Sequence, residues 1–384
     1  MLSYYFPPMH DVGGLRAFSF AQYLPEHGIQ VDAVVGATEE STNADLLAAL
    51  GPASRVTRVA RWFWGPLDCS WNAVRAAWRL ARQHRYDLIL ATGPPWATIN
   101  AGLVLSKLTG IPMVVDFRDP WTHGGLWEAR GGSATARHVQ RRWEAAALRA
   151  AAGIVCIHPV AAARLRNRLP PDRRERVVCV PNGHHETPLG APRVAGQDRC
   201  VFAHLGKFHP RLRPPGLVLD AFALACRDPG FAAQALFVHT GSGHEFEDQV
   251  RARHLERQVL LHPPVSLQES LRLMRGADVL VLFNALTVDA DEVPTAKIYD
   301  YLAVRRPVLG IVSDGSASAQ LLAHTGNATV CGNDDPVRIA DAFLALWNAW
   351  RRQQLAEHAL DLTSNSRRSR GGELAAFLHR LVEG

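Results

Sequence analysis

The residues best placed to do chemistry are two acids flanking a helix start. Glu292-Val-Pro-Thr-Ala-Lys-Ile-Tyr-Asp300 follows an apolar run and a polar loop that already carries Asp289 and Asp291. Pro294 suits the first turn of a helix, where its missing N–H costs nothing. A helix beginning there would present free backbone N–H groups and the positive end of its dipole, a ready site for a diphosphate. Thr295 and Lys297 stand in the same turn and join the candidate set. Asp300 would lie two turns inside, about 9 Å from Pro294 along the axis. The same residues also describe an acidic first turn that only stabilises its own helix.

Other candidates are spread along the chain. Gly241, in Thr240-Gly-Ser-Gly243, could belong to a phosphate loop or to an ordinary strand-to-helix turn, since the full G-x-G-x-x-G is missing. Gly13-Gly14 permits close backbone approach to a phosphate or an acceptor, and equally makes a plain turn. Asp116, Arg118, Asp119 and His123 form a polar group after an apolar run. Asp119 also reads as a cap on the turn before Pro120. Most of the other sixteen of the 17 histidines read as surface or packing residues, and none forms a metal-binding H-E-x-x-H.

The elements that must position these residues follow from hydrophobic patterning. Short apolar runs alternate with longer helical patterns, which predicts stacked βαβ units and parallel sheets, an α/β chain. Strands are predicted at 2–6, 31–35, 87–91, 113–117, 154–157 and 177–180, with helices at 73–82, 97–108 and 135–151. A polar, Gly/Pro-rich linker follows Pro181-Asn-Gly183. A second series has strands at 201–205, 235–239, 259–261, 279–283, 308–312 and 328–330, and helices at 336–350 and 374–382. The 384 residues therefore divide into two doubly wound domains, 1–187 and 198–361, with a C-terminal helix at about 362–384 able to pack back on the first. A ligand is expected between them, at the carboxyl ends of the strands. Only Met1-Leu2 precede Ser-Tyr-Tyr-Phe, so either the first strand is short or the true start lies upstream.

Pro294-Thr-x-Lys-x-Tyr-Asp-Tyr-Leu-Ala303, followed by Arg305-Arg-Pro-Val-Leu309, resembles the donor-binding element of retaining glycosyltransferases of family 4. That resemblance implies the GT-B fold, two Rossmann-like domains facing across a cleft. The family carries two Glu separated by seven residues. Here Glu292 and Asp300 hold that spacing, so the second acid is shorter by one methylene. The resemblance assigns Glu292 to the donor sugar and Asp300 to the ribose. Tyr4-Tyr-Phe-Pro-Pro8 with Gly13-Gly14 looks like the family's first-strand loop, and Asp116-Phe-Arg-Asp-Pro-Trp121 like its acceptor-side loop. Pro181-Asn-Gly183 is similar to its hinge. In Leu205-Gly-Lys-Phe-His-Pro-Arg-Leu-Arg213, a basic residue beside Gly206 and another six positions on would neutralise the donor diphosphate. Lys207 and Arg213 hold those places, with Arg211 a competitor for the second. Fixed cations stabilise a leaving nucleoside diphosphate without metal. The family's front-face mechanism leaves Asp116, Asp119 and His123 to orient the acceptor hydroxyl or stabilise an oxocarbenium-like transition state.

The implied activity is transfer of a sugar, with retention, from a nucleoside-diphosphate sugar to a hydroxyl of a glycan, lipid-linked saccharide or small molecule. No cofactor or metal is required. A sugar-nucleotide epimerase on the same fold and a catalytically silent scaffold subunit are the alternatives.

Composition agrees with a folded chain: hydrophobic residues make up 47% and charged residues 20%. No apolar run reaches the roughly eighteen residues needed to cross a bilayer, and the N-terminus does not read as a signal peptide. The expectation is a cytoplasmic protein. Cys69, Cys156, Cys179, Cys200, Cys226 and Cys331 are scattered and read as buried apolar residues of a reducing compartment. The net charge of +6 suits phosphorylated substrates or anionic headgroups, or simply reflects Arg-rich composition. Residues 55–78 mix Arg55, Arg58, Arg61 and Arg75 with Trp62, Phe63, Trp64, Trp71 and Trp78, as a membrane interface does. A peripheral contact at the inner face of the cell membrane through this stretch stays open. Trp71 and Trp78, seven apart, are expected to form a buried helical stripe, while Trp62 and Trp64 are left open. Without a basic stripe or a binding module, nucleic acid is not an expected partner.

Overall fold

A strand that is apolar on both faces must be covered on both, and parallel sheets flanked by helices provide that cover. Met113–Phe117 and Val279–Phe283 show the result, since every residue of each is buried. The computed structural model describes residues 1–9, 12–39, 43–60, 62, 69–122, 133–185, 198–206, 208, 215–241, 244–284, 294–332, 334–357 and 363–383. The chain divides into two units, Met1–Gly183 with Ser364–Gly384, and His184–Thr363.

The first unit runs β1 (Leu2–Ser3), α1 (Val12–Tyr23), β2 (Val31–Gly36), β3 (Ser54–Val59), α2 (Trp71–Gln83), β4 (Ile89–Gly93), α3 (Trp96–Thr109), β5 (Met113–Phe117), α4 (Ala134–Ala150), β6 (Gly153–Cys156), α5 (Pro159–Asn167) and β7 (Val177–Cys179). Its sheet has the order β3-β2-β1-β4-β5-β6-β7, with every pairing parallel. β1 is only two residues long, in keeping with the short apolar start. β3 is the strand that the search for doubly buried runs passed over. It pairs on one side only and carries Arg55, Thr57 and Arg58 among its two Val, as an edge strand can.

The second unit runs β8 (Cys200–Leu205), α6 (Gly216–Ala225), α7 (Pro229–Gln234), β9 (Ala235–Thr240), α8 (His244–Ala252), β10 (Val259–His262), α9 (Leu267–Gly276), β11 (Val279–Phe283), α10 (Lys297–Ala303), β12 (Val308–Ile311), α11 (Ala317–Ala323), β13 (Ala328–Cys331) and α12 (Pro336–Arg351). Its parallel sheet has the order β10-β9-β8-β11-β12-β13. The chain then returns to the first unit as α13 (Arg367–Glu383), whose Phe377 and Leu378 share a core with Phe18, Val114 and Val155. Side-chain caps set several helix starts: Ser133, Ser266 and Ser316 each accept a first-turn N–H, and Asp228 and Asp335 do so ahead of a proline.

Both strand orders reverse beside the first strand of the unit, between β1 and β4 and between β8 and β11. Crevices at the carboxyl ends of such strands are where open α/β sheets bind ligands.

Two expectations need correction. Trp71 and Trp78 share a face of α2, but that face is outside: they are 39% and 38% exposed. The small residues Ala73, Val74 and Ala77 are buried instead. Heptad spacing fixes which residues share a stripe, and the close packing of α2 on α3 selects the small ones. Trp62, left open above, is buried beside Tyr4 at 5.8 Å between ring centroids. Trp64 lies outside the described residues. Among the described residues no helix is long and apolar enough to cross a membrane.

Candidate functional site

In the second unit the carboxyl ends of β8 and β9 meet at two glycines. Gly206 follows β8 with φ of 131°, a backbone that L side chains rarely adopt. A Cβ at Gly206 would fall 2.0 Å from Lys297 Nζ, so the Lys297 side chain from α10 lies directly across it. A Cβ at Gly241 would fall 2.0 Å from the Gly206 carbonyl oxygen and 3.0 Å from His239 Cε1. The Gly206 N–H donates to Thr240 O at 2.8 Å and the Gly241 N–H to His262 O at 3.0 Å. These N–H groups are spent inside the sheet ends. The glycines therefore allow close approach and do not themselves donate to an anion, and among the described residues the positive charge at this spot is Lys297.

Tyr301 holds α10 in place. Its hydroxyl accepts the Leu205 N–H at 3.0 Å and donates to Val281 O at 3.5 Å, so one fully buried side chain ties α10 to β8 and β11. Burial pushes the Tyr301 phenol above its ordinary range. Asp300, buried at 7% exposure, accepts the His185 backbone N–H at 3.0 Å and sits 3.1 Å from His185 Nδ1, both through Oδ1.

The helix expected to start at Pro294 is shorter and later than the sequence suggested. α10 begins at Lys297 and has seven residues, so Pro294 and Thr295 precede it and Asp300 falls in its first turn, not two turns in. No side chain caps Ala296, and the turn closes through Ile298 N–H to Thr295 O at 3.1 Å. Pro294 is buried, and Thr295 Oγ1 is buried with no partner among the described residues. Glu292, Lys207, Arg211 and Arg213 lie outside the described residues, as does His123.

In the first unit, Asp116 is fully buried. It accepts Arg16 Nη2 at 2.8 Å and Nε at 3.0 Å, and Thr92 Oγ1 at 2.9 Å. Arg16 Nη1 continues to Pro181 O at 3.1 Å and Asn182 Oδ1 at 3.3 Å. Asp116 thus braces the Pro181-Asn182 segment through Arg16 and presents no carboxylate edge to solvent. Asp119 is half-buried, while Arg118 donates to Pro94 O and lies 5.8 Å from the Tyr5 ring centroid. Trp121 stacks on Trp96 at 4.9 Å between centroids and donates to Gln140 at 2.6 Å. Gly13-Gly14 falls in the first turn of α1, where a Cβ at Gly14 would sit 3.0 Å from Phe6 N. The close approach here is between α1 and the chain's own loop.

The sequence reading missed Arg16, His185, His204, His239 and Tyr301. A signal existed for two of them: His204 and His239 are the histidines that interrupt the mainly apolar strands CVFAHL and ALFVHT. A cavity of about 510 Å³ lined by Asp278, Arg306, Pro307 and Trp350 opens at the opposite, amino edge of the second sheet and takes no part in this cluster.

The Gly206–Gly241 contact gives a stability prediction. Gly241→Ala drives Cβ into backbone that cannot rotate away, so it is expected to lower stability by about 1–3 kcal/mol. Thermal unfolding checks it, and an unchanged midpoint would refute the apposition.

Two parallel, doubly wound units with candidate sites at their switch points define a GT-B-like α/β fold. Residues 13–183 match the family described as Glycosyl transferase 4-like domain. No curated protein matches the chain by sequence. Among solved structures, a sucrose-phosphate synthase from Thermosynechococcus elongatus is similar at a TM-score of 0.70 and 17% identity, over 100% of this chain and 97% of that one. HepE from Anabaena, in complex with UDP, is similar at 0.63 and 15%, over 100% and 98%. A putative UDP-N-acetylglucosamine 2-epimerase from Listeria monocytogenes is similar at 0.63 and 12%, over 100% and 96%.

Proposed function

We propose that the chain transfers a sugar, with retention, from a nucleoside-diphosphate donor to a hydroxyl of a glycan, lipid-linked saccharide or small-molecule acceptor. The observation that carries this reading is the Lys297 ammonium lying across Gly206 at the β8–β11 switch point. A fixed cation there suits a diphosphate that gains charge as the glycosidic bond breaks. Lys207 and Arg213, or Arg211, share the diphosphate. Thr295 offers a buried hydroxyl beside it. Glu292 meets the donor sugar, and Asp300, steadied by His185, meets the ribose. On the acceptor side, Asp119, Arg118 and His123 orient the incoming hydroxyl, and Asp116 acts through Arg16 as a positioning residue. The similarity to a sucrose-phosphate synthase and to a UDP complex supports the transferase reading.

The second reading is an epimerase, favoured by the similarity to the Listeria monocytogenes structure. Incubation with sugar nucleotide alone separates the two. Slow release of nucleoside diphosphate, quickened by an acceptor and giving a product of unchanged anomeric configuration, supports transfer. An isomerised sugar nucleotide in the absence of acceptor supports epimerisation.

The acceptor side is proposed to rest on an anionic membrane surface through α2. Its sequence carries Arg75, Arg79 and Arg82 with no acid, beside the exposed Trp71 and Trp78, and Arg82 Cζ lies 5.0 Å from the Trp78 ring centroid. Interfacial helices combine Trp and Arg in this way. The double variant Trp71→Ala, Trp78→Ala is expected to change stability by only about 0.5 kcal/mol, as exposed sites do, while losing sedimentation with vesicles rich in anionic lipid. Vesicle binding equal to wild type would assign the contact elsewhere.

A further inference from the structure

His204 and His239 are register partners on β8 and β9, buried at 2% exposure each, with their Nδ1 atoms 3.0 Å apart. Two Nδ1 atoms at hydrogen-bond distance can hold only one hydrogen between them. His239 Nε2 and Thr240 Oγ1 are both buried with no partner among the described residues. The His239 ring edge lies against the Gly241 position, which abuts the carbonyl of Gly206, the residue whose Cβ position Lys297 occupies. The pair thus sits directly beneath the proposed diphosphate position.

We infer that the site binds its diphosphate together with one proton, which the His204–His239 pair takes up at His239 Nε2. The inference rests on the donor site proposed above. Before binding, the pair is neutral: His239 donates through Nδ1 to His204, and its Nε2 carries a lone pair. When the diphosphate settles over Lys297, its negative charge offsets that ammonium. A proton from solvent then adds to the His239 Nε2 lone pair and converts the ring to imidazolium, while the Nδ1 hydrogen bond to His204 is kept and becomes charge-assisted. Phe246 stacks on His239 at 4.6 Å between centroids and Phe208 lies at 5.0 Å, so the aromatic faces also favour a cation.

The groups facing His239 make this coupling direct. They are His204 on β8, Leu261 as its register partner on β10, Phe246 on α8, and Lys297 reaching over from α10. Burial, and then the Lys297 charge, lower His239 to about 4, against an opposing effect of His204. The sign follows from linkage. If the bound anion restores the ordinary histidine value, the complex binds more protons than the free protein between those two values. Affinity then rises as pH falls, to about tenfold tighter near pH 5.5 than near pH 7.5.

The test is calorimetric titration near pH 6 with UDP-glucose, GDP-mannose, ADP-glucose and dTDP-glucose, each in two buffers of different ionisation enthalpy. The diphosphate diester of these probes does not itself titrate in this range, so any buffer-dependent heat reports proton transfer to the protein. The expected result for a probe that binds is uptake of a sizeable fraction of one proton, abolished in His239→Phe with binding retained. Should that variant misfold, His239→Gln, which also cannot take up a proton, supplies the same comparison, and the wild-type measurement stands by itself. Binding without buffer dependence overturns this inference and leaves the donor site standing. Failure of all four probes to bind overturns both.

Discussion

Lys297→Met is expected to leave the fold intact and to weaken binding of the nucleoside-diphosphate donor by about 10- to 100-fold. A charge-assisted hydrogen bond contributes about 1.5–3 kcal/mol, and each 1.4 kcal/mol is a factor of ten. The fold should survive because Lys297 is only half-buried and α10 is held by Tyr301, whose hydroxyl spans Leu205 and Val281. The loss should fall more heavily on turnover than on ground-state binding, because charge on the leaving diphosphate grows towards the transition state. Removing the ammonium also relieves its charge on His239, whose value should move up from about 4. Steady-state kinetics with a fixed acceptor, and histidine titration by NMR, check both parts. A variant with unchanged kinetics would remove Lys297 from the donor site.

Asp116→Ala is expected to cost about 3–5 kcal/mol of stability, because it strands a buried guanidinium without its counter-charge. Arg16 and Asp116 are 5% and 0% exposed, and Arg16 also holds Pro181 O and Asn182 Oδ1. The consequences therefore extend to the segment that leads out of the first unit. Asp119→Ala, at a half-buried position three residues later and just past the end of β5, should alter stability little and act on turnover. Paired denaturant and activity measurements on the two variants separate bracing from acceptor contact. Equal stability of Asp116→Ala and wild type would mean that the ion pair does not carry the load assigned to it.

Periodicity carried most of the architecture because parallel strands are apolar on both faces. The runs at 113–117 and 279–283 coincide with β5 and β11 at both ends. β3 escaped because an edge strand is largely polar and exposed, and α2 was turned inside out because heptad spacing does not say which face packs. The start of α10 was misplaced because Pro294 permits a helix start without compelling one. As candidates, Lys297 and Gly206 were legible beside a helix start and a strand end, and Asp300 through its spacing from Glu292. It was not legible where partners come from distant sequence. Asp300 meets His185 across 115 positions, and Asp116 meets Arg16 across 100. Side chains that act through such pairs carry no local spacing to read.

The central claim is that the second unit holds a nucleoside-diphosphate sugar at Lys297. A thermal-shift titration of wild type and Lys297→Met against UDP-, GDP-, ADP- and dTDP-sugars tests it most directly, since a ligand that binds only the folded state raises the midpoint as its concentration passes Kd. The account predicts that one nucleotide class stabilises the wild type saturably, and that Lys297→Met needs about tenfold more of it or greater for the same shift. No shift with any of the four, or equal shifts for both proteins, would contradict it.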